Sequence, residues 1–298
     1  MNKRITAAFC IFHFAFCILI TQPSRAWWPQ GHSTIASGAV QSLPRDVPQW
    51  FHTQSGLVAH CAQDPDVFKN RDLPQMTETE APEHFFDWEL LRGNPLPSTR
   101  KEFLALCTKL KIAPDKIGTA PYAIAEWTQK LTVAFAESRR FPRDKNIQVK
   151  CAVYAGILSH YSGDLCMPLH VTMDHDGRTR ADGTSPKTGI HARLDSLPEK
   201  LGLTAQDLAA QQIVTPSQNL MRDIELQILD SRKHIEYSYQ VENLLPPENE
   251  KLIWKATPEL RAFGTARARE SARFTASLFL TAWRDSAKVK LPAWLKRS

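Results

Sequence analysis

The run His160-Tyr161-Ser162-Gly163-Asp164-Leu165-Cys166-Met167-Pro168-Leu169-His170 gathers two imidazoles and a carboxylate within a short stretch. His160 and Asp164 stand four apart, so a helix would put both on one face. Pro168 is a poor helix interior residue, so the chain should turn before His170. Downstream, His191 and Asp195 repeat the same i, i+4 pair. Either pair alone reads most simply as a local hydrogen bond. Two pairs plus a histidine at a proline hinge point to metal binding, and to more than one ion. Imidazole with carboxylate, and no thiolate, suits zinc in a catalytic setting. Ions held close together, with Asp164 as a bridge, would activate water near neutral pH and neutralise phosphoryl oxygens. His32, His84 and Asp66 are further candidate ligands. His52, His60, His175 and His234 read as ordinary surface or core histidines, and Asp174 and Asp176 as parts of a polar loop.

The elements that would position these groups read as helical. Ser33 is a plausible cap for a helix to about Leu43, stopped by Pro44. Positions 45–100 hold Pro65, Pro74, Pro82, Pro95 and Pro97 among many polar residues, which implies long loops with short helical pieces. Helices are expected over 121–137 and 146–160, where apolar residues recur at helical spacing. Positions 171–189 are rich in Gly, Asp and Pro and read as loop. A short helix over 190–197 would carry the second His/Asp pair, and long amphipathic helices are expected over 217–243 and 258–286. Alternating strand patterns, repeats and flexible linkers are absent from the sequence. The expected fold class is all-α: a single compact multi-helix domain with long loops.

The totals fit one large core. The chain has 298 residues, 43% of them apolar. Lys3 and Arg4 precede an apolar run over 5–20, and Ser24-Arg25-Ala26 offers small residues for a signal peptidase. Residues 1–26 are therefore expected to be a cleaved secretory signal and 27–298 the catalytic domain, secreted or periplasmic, with no transmembrane segment after cleavage. Cleavage removes three basic residues and no acids, lowering the formal charge from +6 to +3. No block of like charge advertises duplex DNA binding. Four cysteines remain (Cys61, Cys107, Cys151 and Cys166), and an oxidising compartment would admit one or two disulfides.

The motif His-x3-Asp-x5-His followed by His-x3-Asp resembles that of the zinc-dependent phospholipase C and single-strand-specific nuclease superfamily. It matches at His160, Asp164, His170, His191 and Asp195. The family's mature chains start with a Trp that ligates zinc through its own amine and carbonyl, and Trp27 follows the expected cleavage point. His32 lies five residues on, the interval of the nuclease branch. Glu83-His84-Phe85-Phe86-Asp87 resembles the family's His-Phe-x-Asp segment. Asp66 matches the aspartate of the first site, with Asp64 as a competing choice; Lys69 then falls where nucleases place a basic residue facing phosphate.

The resemblance implies three zinc ions. One would be held by Asp66, His84, His160 and Asp164, one by His170, His191 and Asp195, and one by Trp27, His32 and Asp164. It also implies a zinc-dependent endonuclease that cuts single-stranded DNA or RNA to 5′-phosphorylated products. Asp66 and Lys69 would act in catalysis, and Phe85 and Asp87 would hold a nucleobase. No stable protein partner is implied. The short Trp27–His32 interval, Asp195 in place of Glu, and Lys69 favour this branch. The alternatives are a phospholipase C acting on phospholipid head groups and a non-catalytic zinc-binding protein.

Overall fold

The computed structural model describes residues 27–248 and 252–297. The expected signal segment, 1–26, lies outside the described residues. Among those described there is no strand; the sole extended pairing is an isolated bridge between His175 and Gly177. The all-α expectation holds.

The centre is built from three helices. We label the eight principal ones α1 (Pro29–Gln41), α2 (Ser55–Cys61), α3 (Arg100–Leu110), α4 (Ala120–Arg140), α5 (Lys145–Leu165), α6 (Ile190–Asp195), α7 (Leu220–Arg232) and α8 (Pro258–Ser286). Helices α4, α5 and α8 pack on one another. Their buried faces supply Leu131, Phe135, Ile147, Ala155, Leu158, Phe274 and Phe279 to the main core. Phe51, from a short helix over Gln49–His52, meets Phe135 and Phe279 edge-on, with ring centroids 5.1 and 5.9 Å apart. Each such side chain, removed from water, contributes about 1.5–3 kcal/mol. A second cluster contains Trp27, Ile35, Met167, Leu169, Ile190 and Leu194, residues drawn from the same segments as His32, His170 and His191.

Several boundaries differ from expectation for local reasons. Helix α1 begins at Pro29, not Ser33, because proline in the first turn loses no hydrogen bond there. Ser33 instead donates its hydroxyl to the Ala59 carbonyl, tying α1 to α2. Helix α5 is capped by the Asp144 carboxylate and runs to Leu165, five residues beyond the expected end. That extension keeps His160 and Asp164 on the same helix. The expected 217–243 helix is broken: i→i+3 bonds at Lys233 and His234 close α7, and a short helix, Ile235–Gln240, follows. Helix α3 was not expected, although Thr99 and Glu102 form a reciprocal capping box.

No disulfide forms among the described residues. Cys61, Cys107, Cys151 and Cys166 are all free and buried. They stand on or just after three different helices, each packed into its own neighbourhood. No described helix is long and apolar enough to cross a membrane.

Candidate metal centre

Helix α5 is the platform. It passes so close to α2 that a Cβ on Gly156 would lie 2.5 Å from the Cys61 Cβ and 2.7 Å from the Val58 carbonyl oxygen. Only glycine admits this approach. One turn later His160 points between the helices, and one turn further Asp164 does the same; both are wholly buried.

Asp164 is the hub. Its Oδ1 lies 3.2 Å from His32 Nε2, and its Oδ2 lies 3.0 Å from His84 Nδ1 and 3.4 Å from His160 Nε2. Asp66 approaches from the other side, 3.8 Å from His160 Nε2. Three groups have ligand atoms close enough to share an ion: His32 with His160 and Asp164; Asp66 with His84 and His160; His170 with His191 and Asp195. In the third, Asp195 Oδ2 is 3.0 Å from His191 Nε2 and 3.7 Å from His170 Nε2. These are the histidines and aspartates expected from the sequence, brought together from α1, the 64–84 segment, α5, the turn after Pro168, and α6. Of the two aspartates left open by the sequence, Asp66 lies in the cluster, whereas Asp64 lies beside the Cys61 thiol.

The donor set fits a divalent cation. Buried nitrogens and oxygens almost always find hydrogen-bond partners. Here the buried atoms that make no well-formed hydrogen bond are concentrated at the site: both ring nitrogens of His32 and of His191, Nε2 of His84 and of His170, Oδ1 of Asp164, and both oxygens of Asp66 and of Asp195. Several of them instead crowd one another or Lys69 at ion-pair distance. Ions would satisfy the lone pairs that converge here; His84 Nε2 is the exception, since it faces Glu80 Oε1 at 3.4 Å while Nδ1 faces Asp164. The outward nitrogens are anchored: His160 Nδ1 donates to the Ala62 carbonyl at 2.8 Å and His170 Nδ1 to the His84 carbonyl at 2.7 Å. That protonates the outer nitrogen and leaves Nε2 as the inward lone pair.

The electrostatics of the clusters differ. Burial lowers His32 to about 4 and takes His84 and His160 well below the usual histidine range. Burial likewise raises Asp164 well above the usual carboxylate range. The first two clusters therefore hold neutral imidazoles, the form that ligates metal. In the third cluster burial also acts to lower His191, but the Asp195 charge and hydrogen bond outweigh it and raise the group. Asp195 is correspondingly lowered by His191 and His170 against the effect of burial.

The remaining expected residues take distinct places. Trp27 is buried, and its indole Nε1 donates to the Gly163 carbonyl at 2.9 Å, which sets it beside Asp164. Lys69 Nζ lies 2.6 Å from Asp66 Oδ1. Phe85 is half-buried, its carbonyl pressed against Gly118, where φ is +89° and a Cβ would fall 2.1 Å from that oxygen. Phe86 is core, and its amide donates to the His170 carbonyl at 2.8 Å, joining the His84 segment to the His170 turn. Burial pushes Asp87 up to about 8, reinforced by Glu89.

Two features escaped the sequence reading. His175, expected to be an ordinary loop histidine, stands beside the third cluster, its ring 6.1 Å from that of His191. Glu80 approaches His84 at 3.4 Å, and its four-residue spacing from His84 was a signal of the same kind as the other pairs. His52, His60 and His234 join no cluster.

No family model and no curated protein matches the chain. Solved structures do. The alpha toxin from Clostridium absonum is 15% identical, with a TM-score of 0.43, and the match covers 90% of this chain and 68% of that one. The alpha-toxin of Clostridium perfringens from avian strain SWCP is 12% identical, with a TM-score of 0.44, covering 90% of this chain and 65% of that one.

Proposed function

We propose that the chain is a zinc-dependent phosphodiester hydrolase of the phospholipase C and nuclease superfamily, acting outside the cytoplasm on single-stranded nucleic acid. The observation that carries this reading is the convergence of unsatisfied buried imidazole and carboxylate atoms around Asp164. Zinc bound there would supply Lewis acidity and a water activated near neutral pH. The chain's own groups do the rest. Asp164 links two ligand clusters, so one carboxylate fixes their separation. Asp66, at the edge of the cluster, orients the attacking water. Lys69, beside it, places a positive charge where the phosphoryl group gains negative charge. Phe85 is only partly buried, and its ring is one on which a base can stack without regard to sequence. Asp87, held protonated at neutral pH by its burial, can donate a hydrogen bond to the same base.

A second reading uses the same centre: a phospholipase C that cleaves phospholipid head groups. It is favoured by the apolar surface on the segment that carries Lys69, where Val67 is 65%, Leu73 50% and Met76 42% exposed. No comparison above names a nuclease. The deciding experiment offers denatured DNA and micellar phosphatidylcholine to the same zinc-loaded protein. Chelator-sensitive release of 5′-nucleotides supports the first reading. Release of phosphocholine with intact DNA supports the second. Turnover of neither refutes both and leaves a zinc-binding protein without activity.

A further inference from the structure

We propose that Glu80 is a positioning residue for the metal centre, holding the outer edge of His84 so that the inner edge faces the ions. The inference rests on the metal-dependent reading above. His160 and His170 each donate from Nδ1 to a backbone carbonyl, which leaves Nε2 inward. His84 is turned the other way. Its Nδ1 is the inward atom, 2.9 Å from His160 Nε2 and 3.0 Å from Asp164 Oδ2. Its proton must then sit on Nε2, since a neutral imidazole carries only one.

The carboxylate facing that Nε2 is Glu80, with Oε1 3.4 Å away. Glu80 is itself fixed: the Tyr161 hydroxyl donates to the same oxygen at 2.5 Å. Tyr161 is 1% exposed and its ring packs edge-on to His84, with centroids 5.5 Å apart. Tyr161 follows His160 on α5, so the helix that carries a ligand also anchors the support of its neighbour. Glu80 faces the edge of His84 opposite the ligand atoms and joins none of the three ligand clusters found among the described residues.

The test compares the zinc-loaded wild-type protein with Glu80→Ala, Glu80→Gln and Tyr161→Phe. Chelator competition reads the affinity of each ion, and circular dichroism checks folding. Losing an outer partner of a ligating histidine weakens metal binding by about 10- to 100-fold. Glu80→Ala should lower the affinity of one ion by that factor and leave the others unchanged. Glu80→Gln should restore most of it, because an amide oxygen can take the place of Glu80 Oε1 opposite Nε2. Tyr161→Phe should fall between. Wild-type affinity in Glu80→Ala overturns the proposal. A Gln variant as weak as the Ala variant also overturns it, since that identifies Glu80 as a ligand. If Glu80→Ala does not fold, Tyr161→Phe decides: an unchanged affinity overturns the proposal, and a selective loss at one ion supports it. A wild-type protein that takes up no zinc removes the metal-dependent reading as well, a result distinct from normal zinc in unaffected variants.

Discussion

Replacing Asp164 by Asn should change the response to zinc far more than it changes the polypeptide. Asn keeps the shape of the side chain but cannot bridge ions as a carboxylate. Asp164 contacts His32, His84 and His160, which belong to two clusters, so both sites should weaken together. A ligand present at 1,000 times its dissociation constant stabilises the folded state by about 4 kcal/mol. Two such sites contribute roughly 8 kcal/mol. For a chain of this length about 1 kcal/mol corresponds to about 2 °C, so the zinc-saturated melting midpoint should fall by roughly 15 °C. In chelator the expected sign reverses. Burial raises Asp164 well above the usual range, so ionising it at neutral pH disfavours the folded state, and a neutral amide removes that penalty. The variant should therefore melt at or above the wild-type midpoint without metal. Differential scanning calorimetry in saturating zinc and in chelator measures both arms. An equal zinc-dependent rise in wild type and variant would refute the reasoning, as would an equal fall with and without chelator.

Other expectations follow from individual groups. In chelator, His32 is protonated in the unfolded chain below about 6.5 but in the folded chain only below about 4, so its contribution is present above 6.5 and lost on acidification. Between pH 7 and 4 the wild type should lose roughly 3 kcal/mol more than His32→Asn in urea unfolding; parallel pH curves would contradict this. Gly156→Ala should destabilise by about 1–3 kcal/mol, because the new methyl meets Cys61 and the Val58 carbonyl, and denaturant titration at unchanged slope would register it. Thiol titration of the unfolded, unreduced protein starting at Trp27 should count all four cysteines, with little reaction while folded, since burial pushes Cys61 to about 11 and Cys151 to about 12. Detection of two thiols or none would reveal a disulfide absent from this fold.

The candidate His/Asp cluster was legible because its grammar is local. His160–Asp164 and His191–Asp195 need only a helix to converge, and both lie on one. The long helix α8 was legible end to end, since Pro258 and an apolar stripe mark it. What was hidden depends on distant contacts. Ser33 reads as a cap but serves as a tie to α2 through the Ala59 carbonyl, a contact with no pattern along the chain. The break after α7 sits in a continuous amphipathic stretch and follows from the tertiary setting, where Arg232 donates to the Val171 carbonyl. The loop holding His175 reads as polar filler, yet it folds back on α6 as the His191 amide meets Asp176 Oδ1 at 3.5 Å. Cysteine pairing was equally invisible, because spacing says nothing of which helices face one another. Helix α3 is a different case: its capping box was present in the sequence and went unread.

Metal ligation by the unsatisfied buried imidazoles and carboxylates is the central claim. The most direct measurement is elemental analysis of protein starting at Trp27, loaded with zinc and dialysed exhaustively, beside the His160→Ala and His170→Ala variants. Three zinc ions per chain are predicted for the wild type, with His160→Ala losing ions from the two clusters that share His160 and His170→Ala losing the ion of the third. No retained zinc in the wild type, or the same zinc content in all three proteins, would contradict it.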